Sequence, residues 1–320
     1  MEAIKPGLHS ILQPAPLEKC TFNFGCNTYI KRDDLIHPEV SGNKSRKLKY
    51  LVQSFIQQGK KGIITFGGAF SNHIYATAAY GNMLDLGCVG IIRGEDDIRN
   101  PTLRFARAQN MQLYFVSRDE YKLKDRSTKI VSILSHYPDY GIIPEGGDHI
   151  LAMDGVAEIL DEIENLQVIP DYLALSCGTG TTAAGILKSI IERRWATKVI
   201  VIPALNNQHL IKEILIKANA HDHVDKLIYL PGYAGRGYGK ADLALIQFMH
   251  HFYESTHIPL DPIYTGKLFY GLYQLAEQGY FRPQETLIIL HTGGLQGIAG
   301  YNYILQKKNR DPQLLIRYEY

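Results

Sequence analysis

KGIITFGGAFSNHIYATAAYGNMLDLGCVGII, residues 61–92, is the stretch from which the fold can be read. Lys61 to Phe66 is a short apolar run that ends on Gly67-Gly68-Ala69. Asn72 to Met83 then carries a helical pattern, and Leu86 to Ile92 returns to an apolar, β-branched run. Strand, glycine turn, helix and strand make the repeating unit of an α/β protein with parallel sheets. The alternation continues outward. Pro101 to Gln109 predicts a helix and Gln112 to Val116 a strand. Tyr172 to Ser176 predicts a strand that meets a Gly/Thr loop and a helix running to about Trp195. Val199 to Pro203, Leu227 to Leu230 and Thr286 to Leu290 are further strands, the last followed by His291-Thr292-Gly293-Gly294 and a terminal helix. Tyr137 to Gly147, with its prolines and glycines, is the expected crossing between two domains.

Composition narrows the classes. A chain of 320 residues has room for two domains and a core that needs no staple. Hydrophobic residues at 45% and charged residues at 21% are those of an ordinary globular protein. A net charge of +2 gives no general pull toward nucleic acid or anionic lipid, so neither is an expected partner. Cys20, Cys26, Cys88 and Cys177 fit no zinc or disulfide spacing and are read as reduced thiols. Met1 to Pro16 lacks the unbroken apolar core of a signal peptide, and no window reaches the roughly 18 apolar residues of a membrane span. A cytoplasmic location is the expectation. His221-Asp222-His223 and His250-His251 lack a third ligand at fixed spacing, so no metal is expected.

Three of the predicted strands end in glycine turns that feed helices: Phe66 to Asn72, Cys177 to Thr182, and His291 to Gly297. Ligands of open α/β sheets sit beyond the carboxyl ends of strands, where such turns gather. Glycine admits close backbone approach, and a helix N-terminus offers free N–H groups to an anion. The second turn is the best phosphate cradle, joining Gly178 and Gly180 to the hydroxyls of Thr179, Thr181 and Thr182. It also fits the dinucleotide fingerprint G-x-G-x-x-G/A, but no carboxylate follows the next strand, Val199 to Ala204, to hold a ribose. A phosphate monoester fits better than NAD.

The remaining feature is Lys31-Arg32-Asp33-Asp34 followed by Ser41-Gly42-Asn43-Lys44-Ser45-Arg46-Lys47. The basic run alone could be a solvated helix face. The Ser-Gly-Asn turn before it, however, places Lys44 at a helix start, where the dipole and the neighbouring Arg46 and Lys47 are expected to lower its pKa. A lysine so placed can supply the neutral amine of Schiff-base chemistry.

With these motifs, and with Asp261-Pro262-Ile263-Tyr264-Thr265-Gly266-Lys267, the chain resembles the D-cysteine desulfhydrase and 1-aminocyclopropane-1-carboxylate (ACC) deaminase family, part of the tryptophan-synthase-β-like group, from Lys31 to Gly297. The resemblance implies an α/β fold of two open, twisted, largely parallel sheets flanked by helices. Residues 1–44 plus 151–320 would form a large domain and 45–150 a smaller inserted one, with pyridoxal 5'-phosphate (PLP) in the cleft between them. It implies that Lys44 carries PLP covalently, that Ser71 and Asn72 face the substrate carboxylate and the cofactor's ring oxygen, and that Gly178, Thr179, Gly180, Thr181 and Thr182 bind the phosphate. Tyr238 and Tyr264 would sit against ring and substrate, and Thr265 would meet the pyridine nitrogen. Lys44, Ser71, Tyr238 and Tyr264 are thus the expected catalytic set, acting on a small amino acid in a homodimer. The family's ring-opening members resemble this chain except for a glutamate at Thr265 and a glutamine at His73. A hydroxyl at the ring nitrogen implies a milder electron sink, which favours β-elimination from D-cysteine over opening of the ACC ring. ACC deaminase is the alternative, and a non-catalytic PLP-binding protein the reading from another class.

Overall fold

The computed structural model describes residues 14–318, so most of the Met1–Pro16 segment lies outside the described residues. Among the described residues, ten strands form two sheets. The larger contains β1 (Leu17–Lys19), β2 (Asn27–Lys31), β7 (Tyr172–Cys177), β8 (Lys198–Pro203), β9 (Leu227–Tyr229) and β10 (Thr286–Leu290), in the order β1-β2-β10-β7-β8-β9. All its pairings are parallel except β1 with β2. The smaller contains β3 (Gly62–Gly68), β4 (Gly87–Arg93), β5 (Gln112–Val116) and β6 (Tyr140–Ile143), in the order β5-β4-β3-β6 and wholly parallel.

Eleven α-helices connect them among the described residues: α1 (Asn43–Gln57), α2 (Asn72–Met83), α3 (Pro101–Ala108), α4 (Arg118–Leu123), α5 (Thr128–Ser135), α6 (Ile150–Asn165), α7 (Thr181–Glu192), α8 (Leu210–Ala218), α9 (Leu243–Thr256), α10 (Thr265–Glu277) and α11 (Gly297–Lys307). None is long and apolar enough to cross a membrane. Because successive strand residues point to opposite faces, each sheet builds two cores. In β7 and β8, Leu173, Leu175, Val199 and Val201 pack under α6, α7 and α8, while Ala174, Ile200 and Ile202 pack under α9 and α10. In the small sheet, Ile63 and Ile92 face α1 and α2, whereas Ile64 and Ile91 face Tyr121 of α4 and Ile130 and Ile133 of α5.

The predicted strands and helices from Gly62 to Val116 and the last strand lie where the sequence places them. Tyr137 to Gly147 does not act as a simple crossing. Its middle is β6, and only after Glu145 does the chain turn toward α6. The glycine that reads there as a turn signal serves packing: a Cβ on Gly141 would stand 2.4 Å from the Phe55 ring.

The sheets are tied at the start of α1 by buried charge. Lys31, at the end of β2, and Asp33 are fully buried, and Arg46 is 3% exposed. The Arg46 guanidinium donates two hydrogen bonds to Asp33 (2.6 and 2.7 Å) and two to Glu162 of α6 (2.9 Å each). Such a fork-to-carboxylate pairing fixes geometry as well as charge. Removing one partner strands the other: Asp33→Ala should lower unfolding free energy by about 3–5 kcal/mol. Urea denaturation checks this, and a loss below about 1 kcal/mol, typical of exposed pairs, would mean that the pair is not desolvated.

Candidate active site

The first turn of α1 sets the position of Lys44. Gly42 precedes it with φ of +67°, and a Cβ there would lie 1.8 Å from the carbonyl oxygen of Thr292. Only glycine fits. The Gly42 amide donates to the Asp33 carbonyl (2.9 Å) and the Asn43 amide to Thr292 (3.2 Å), which wedges the helix start between two loops. Lys44 then lines a cleft of about 720 Å³ between the two sheets, walled by the turns after β3, β4, β7, β8 and β10. Burial lowers its pKa from 10.5 to about 8. The cause is desolvation rather than the expected neighbours, since the Arg46 charge is already met by Asp33 and Glu162. The basic run is no solvated face: Arg46, Lys47 and Lys49 are all buried.

One end of the cleft suits an anion. α7 starts at Gly180 (φ +81°) with no side chain capping its free amides, and Gly178, Thr179, Gly180 and Thr182 line the wall. Thr182 accepts a hydrogen bond from Asn43 Nδ2 (3.1 Å), linking this loop to the Lys44 turn. Thr181 is turned away, its hydroxyl donating to Asp148 (2.6 Å). Two lysines missed by sequence reasoning stand here. Lys217 of α8 donates to Thr179 O (2.7 Å) and Asp148 (2.8 Å). Lys47 lines the cleft and donates to Gly146 O (3.1 Å). Its place three residues after Lys44, on the same helix face, was the available signal. Lys217 had none.

The middle of the cleft gathers Ser71, Asn72, His73, Tyr264 and, at its mouth, Tyr238, alongside Lys44. Ser71 caps α2, its Oγ accepting from the amides of His73 (3.2 Å) and Ile74 (3.3 Å), so its own proton remains free to donate. The Thr65 hydroxyl gives its one proton to Ile143 O (3.0 Å) and must therefore accept from His73 Nε2 (2.8 Å). That leaves His73 Nδ1 a bare acceptor, and burial, reinforced by Lys44 and Lys47, holds the ring's pKa well below 6.5. The Tyr264 and Tyr238 hydroxyls lie 3.2 Å apart, and burial raises the pKa of both. They are neutral phenols, hence donors.

Thr265 is not on the cleft wall. It is fully buried, its hydroxyl donating to Asp261 Oδ2 (2.7 Å) and accepting from the Asp261 amide (2.8 Å). Asp261 also accepts from the amides of Ile263, Tyr264 and Thr265, so this carboxylate holds the start of α10 and with it Tyr264.

This donor set fits PLP. An uncapped helix start flanked by Lys47 and Lys217 suits a phosphate, and Lys44 has an amine of lowered pKa. Among the described residues, two buried polar atoms of cleft-lining side chains, Ser176 Oγ and His73 Nδ1, have no protein partner. Comparison with known proteins agrees. The chain belongs to the pyridoxal-phosphate dependent enzyme family, whose model matches residues 10–293. It is 29% identical to the bifunctional D-cysteine desulfhydrase/1-aminocyclopropane-1-carboxylate deaminase, mitochondrial, of Arabidopsis thaliana, over 86% of this chain and 74% of that one. It is 26% identical to the D-cysteine desulfhydrase of Serratia proteamaculans, over 93% and 96%. Among solved structures, an ACC deaminase homologue superposes with a TM-score of 0.80 at 24% identity, over 94% of this chain and 99% of that one, which shows the shared tryptophan-synthase-β-like fold.

The lowered pKa of Lys44 has a direct readout. At pH 7.5 about a quarter of an amine of pKa 8 is unprotonated, against roughly a thousandth at 10.5. The rate at which the apoprotein takes up PLP, followed by absorbance, should rise with pH through a midpoint near 8. A midpoint above about 10 would mean that the amine is solvated.

Proposed function

We propose that the protein catalyses β-elimination from a small amino acid, with D-cysteine as substrate: D-cysteine and water give pyruvate, hydrogen sulfide and ammonia. The observation that carries this reading is Lys44 Nζ, an amine of lowered pKa on the wall of a cleft it shares with Ser71, Tyr238 and Tyr264. PLP, when bound, supplies an electron sink for the charge that develops at the substrate's α-carbon. Lys44 would hold the cofactor covalently, and its Nζ would take the substrate's α-proton. The free proton of Ser71 Oγ and the N-terminus of α2 bind the substrate carboxylate, and Asn72 meets the cofactor's ring oxygen. Gly178 to Thr182 take the phosphate, assisted by Lys47 and Lys217. Tyr264, held by Asp261, orients the substrate or returns a proton, and Tyr238 closes the mouth. The reading includes the two-domain division at residues 44 and 150, a homodimer, and action in the cytoplasm.

ACC deamination is the second reading, and the placement of Thr265 is the observation that favours it. Thr265 is buried off the cleft wall with its proton given to Asp261, so the hydroxyl on which the argument for a mild sink rests does not face the cofactor cleft.

A paired assay on PLP-loaded protein separates the two. Rapid pyruvate and sulfide from D-cysteine, with little 2-oxobutanoate from ACC, is the expected result. Efficient release of 2-oxobutanoate would establish the second reading instead. Lys44→Ala should abolish turnover of either substrate, and activity near wild type would refute the assignment of the base.

A further inference from the structure

The carboxyl edge of the small sheet contributes charge to the cleft that the reading above leaves unused. Arg93 ends β4, and Arg118 follows the adjacent strand β5, where Arg93 pairs in register with Val116. Both side chains line the same cleft as Lys44 and Ser71. The guanidinium of Arg93, an exposed residue, lies 5.3 Å from the ring centroid of buried Tyr121, a cation–π approach. One of its terminal nitrogens stands 3.6 Å from where a Cβ of Gly68 would be, at the entry to the turn that carries Ser71.

Neither arginine has an ion-pair partner within 4 Å among the described residues. Four of the neighbouring acids are engaged elsewhere, Asp96 with Arg107 (2.6 Å), Asp97 with Lys307 (2.7 Å), Asp119 with Lys122 (3.7 Å) and Glu120 with the Ser117 amide (2.8 Å), while Glu95 is exposed on the loop after β4. The one carboxylate on this edge that lines the cleft, Glu145, follows β6. It acts on the same Tyr121 and Tyr238 phenols as Arg93, so it shares this edge with the arginine without closing to an ion pair. Two arginines from adjacent strand ends, neither closed into an ion pair among the described residues, therefore face a cleft whose other anion-binding end is the phosphate loop.

We propose that Arg93 and Arg118 form a subsite for an anionic β-substituent, so that the enzyme selects amino acids whose side-chain group is, or leaves as, an anion. The inference rests on the amino-acid reading above and adds the substrate class. Guanidinium forks pair with oxyanions in two-point geometry and stay charged at every working pH. In the elimination the α-proton passes to Lys44 Nζ, the electron pair of the bond from the β-carbon to its substituent leaves with the substituent, and the departing anion meets the two cations. ACC has no such group, so the subsite favours substrates of the D-cysteine type.

The test is equilibrium binding of D-aspartate and D-asparagine, near-isosteric and differing in charge, to PLP-loaded protein, read from the cofactor's absorbance. Wild type should bind D-aspartate at least about tenfold more tightly than D-asparagine, the effect of one charge-assisted contact. Arg93→Met/Arg118→Met should bring that ratio near one, with partial recovery in Arg93→Lys/Arg118→Lys. Arg118→Gln alone, at an exposed position, serves if the double variant does not fold, and should reduce the ratio in part. A ratio near one in wild type, or one unchanged in the variants, overturns the subsite while leaving the amino-acid reading intact. If neither ligand perturbs the cofactor, the amino-acid reading fails and the subsite with it.

Discussion

The pairing of Arg46 with Asp33 and Glu162 is the constraint on which the site depends. It joins the segment after β2, the first turn of α1 and the last turn of α6 through four charge-assisted hydrogen bonds, the two to Asp33 fully buried and the two to Glu162 partly so. Desolvating three charges is costly, and the geometry offsets that cost only while every partner stays in place. Its benefit is positional. Lys44 lies two residues before Arg46, so the clamp sets where the amine projects. Gly155, whose Cβ would stand 2.0 Å from the Arg46 carbonyl oxygen, lets α6 come close enough for Glu162 to reach.

From that fixed point, the chemistry is arranged by topology. Both sheets turn their carboxyl edges toward the cleft, and each edge delivers a different function. The large sheet supplies the anion cradle after β7 and the loop after β10 that packs against Gly42. The small sheet supplies the Ser71 turn after β3 and the arginines after β4 and β5. Parallel sheets make this economical, because every strand ends on the same side and every following turn is available to a ligand. Burial then tunes the groups, holding His73 and Tyr264 in their neutral forms and lowering Lys44 far enough that a useful share of its amine is unprotonated.

Much of this was legible in the sequence because its signals are local. Asn72–Met83, Gln112–Val116 and Thr286–Leu290 were read to the residue, and the glycine turns marked the cleft. What escaped depended on contacts between distant segments. β2 ends in Lys31, a charge that reads as surface until Glu162 and the carbonyl of Ala15 are brought to it. β6 looked like a linker because Gly141 is there for the Phe55 ring. Thr181 and Thr265 carry the right side chains in the right motifs, yet Asp148 and Asp261 draw their hydroxyls off the cleft wall. Spacing locates a residue; only packing decides which way a hydroxyl points.

The wedge of Gly42 against Thr292 has a consequence for how the protein is made. The turn that aims Lys44 belongs to the first part of the chain, but the Thr292 carbonyl that accepts from its Asn43 amide comes from the loop after the last strand. β10 itself lies between β2 and β7 in the large sheet, so the sheet's centre is filled by the strand synthesised last. Contacts of such sequence separation form late, because loop closure must precede any stabilisation they give. A nascent chain can therefore complete the small sheet on the ribosome, yet it has no finished cofactor site until its C-terminal segment emerges. The turn that presents Lys44 is therefore complete only once the loop after β10 has closed against Gly42.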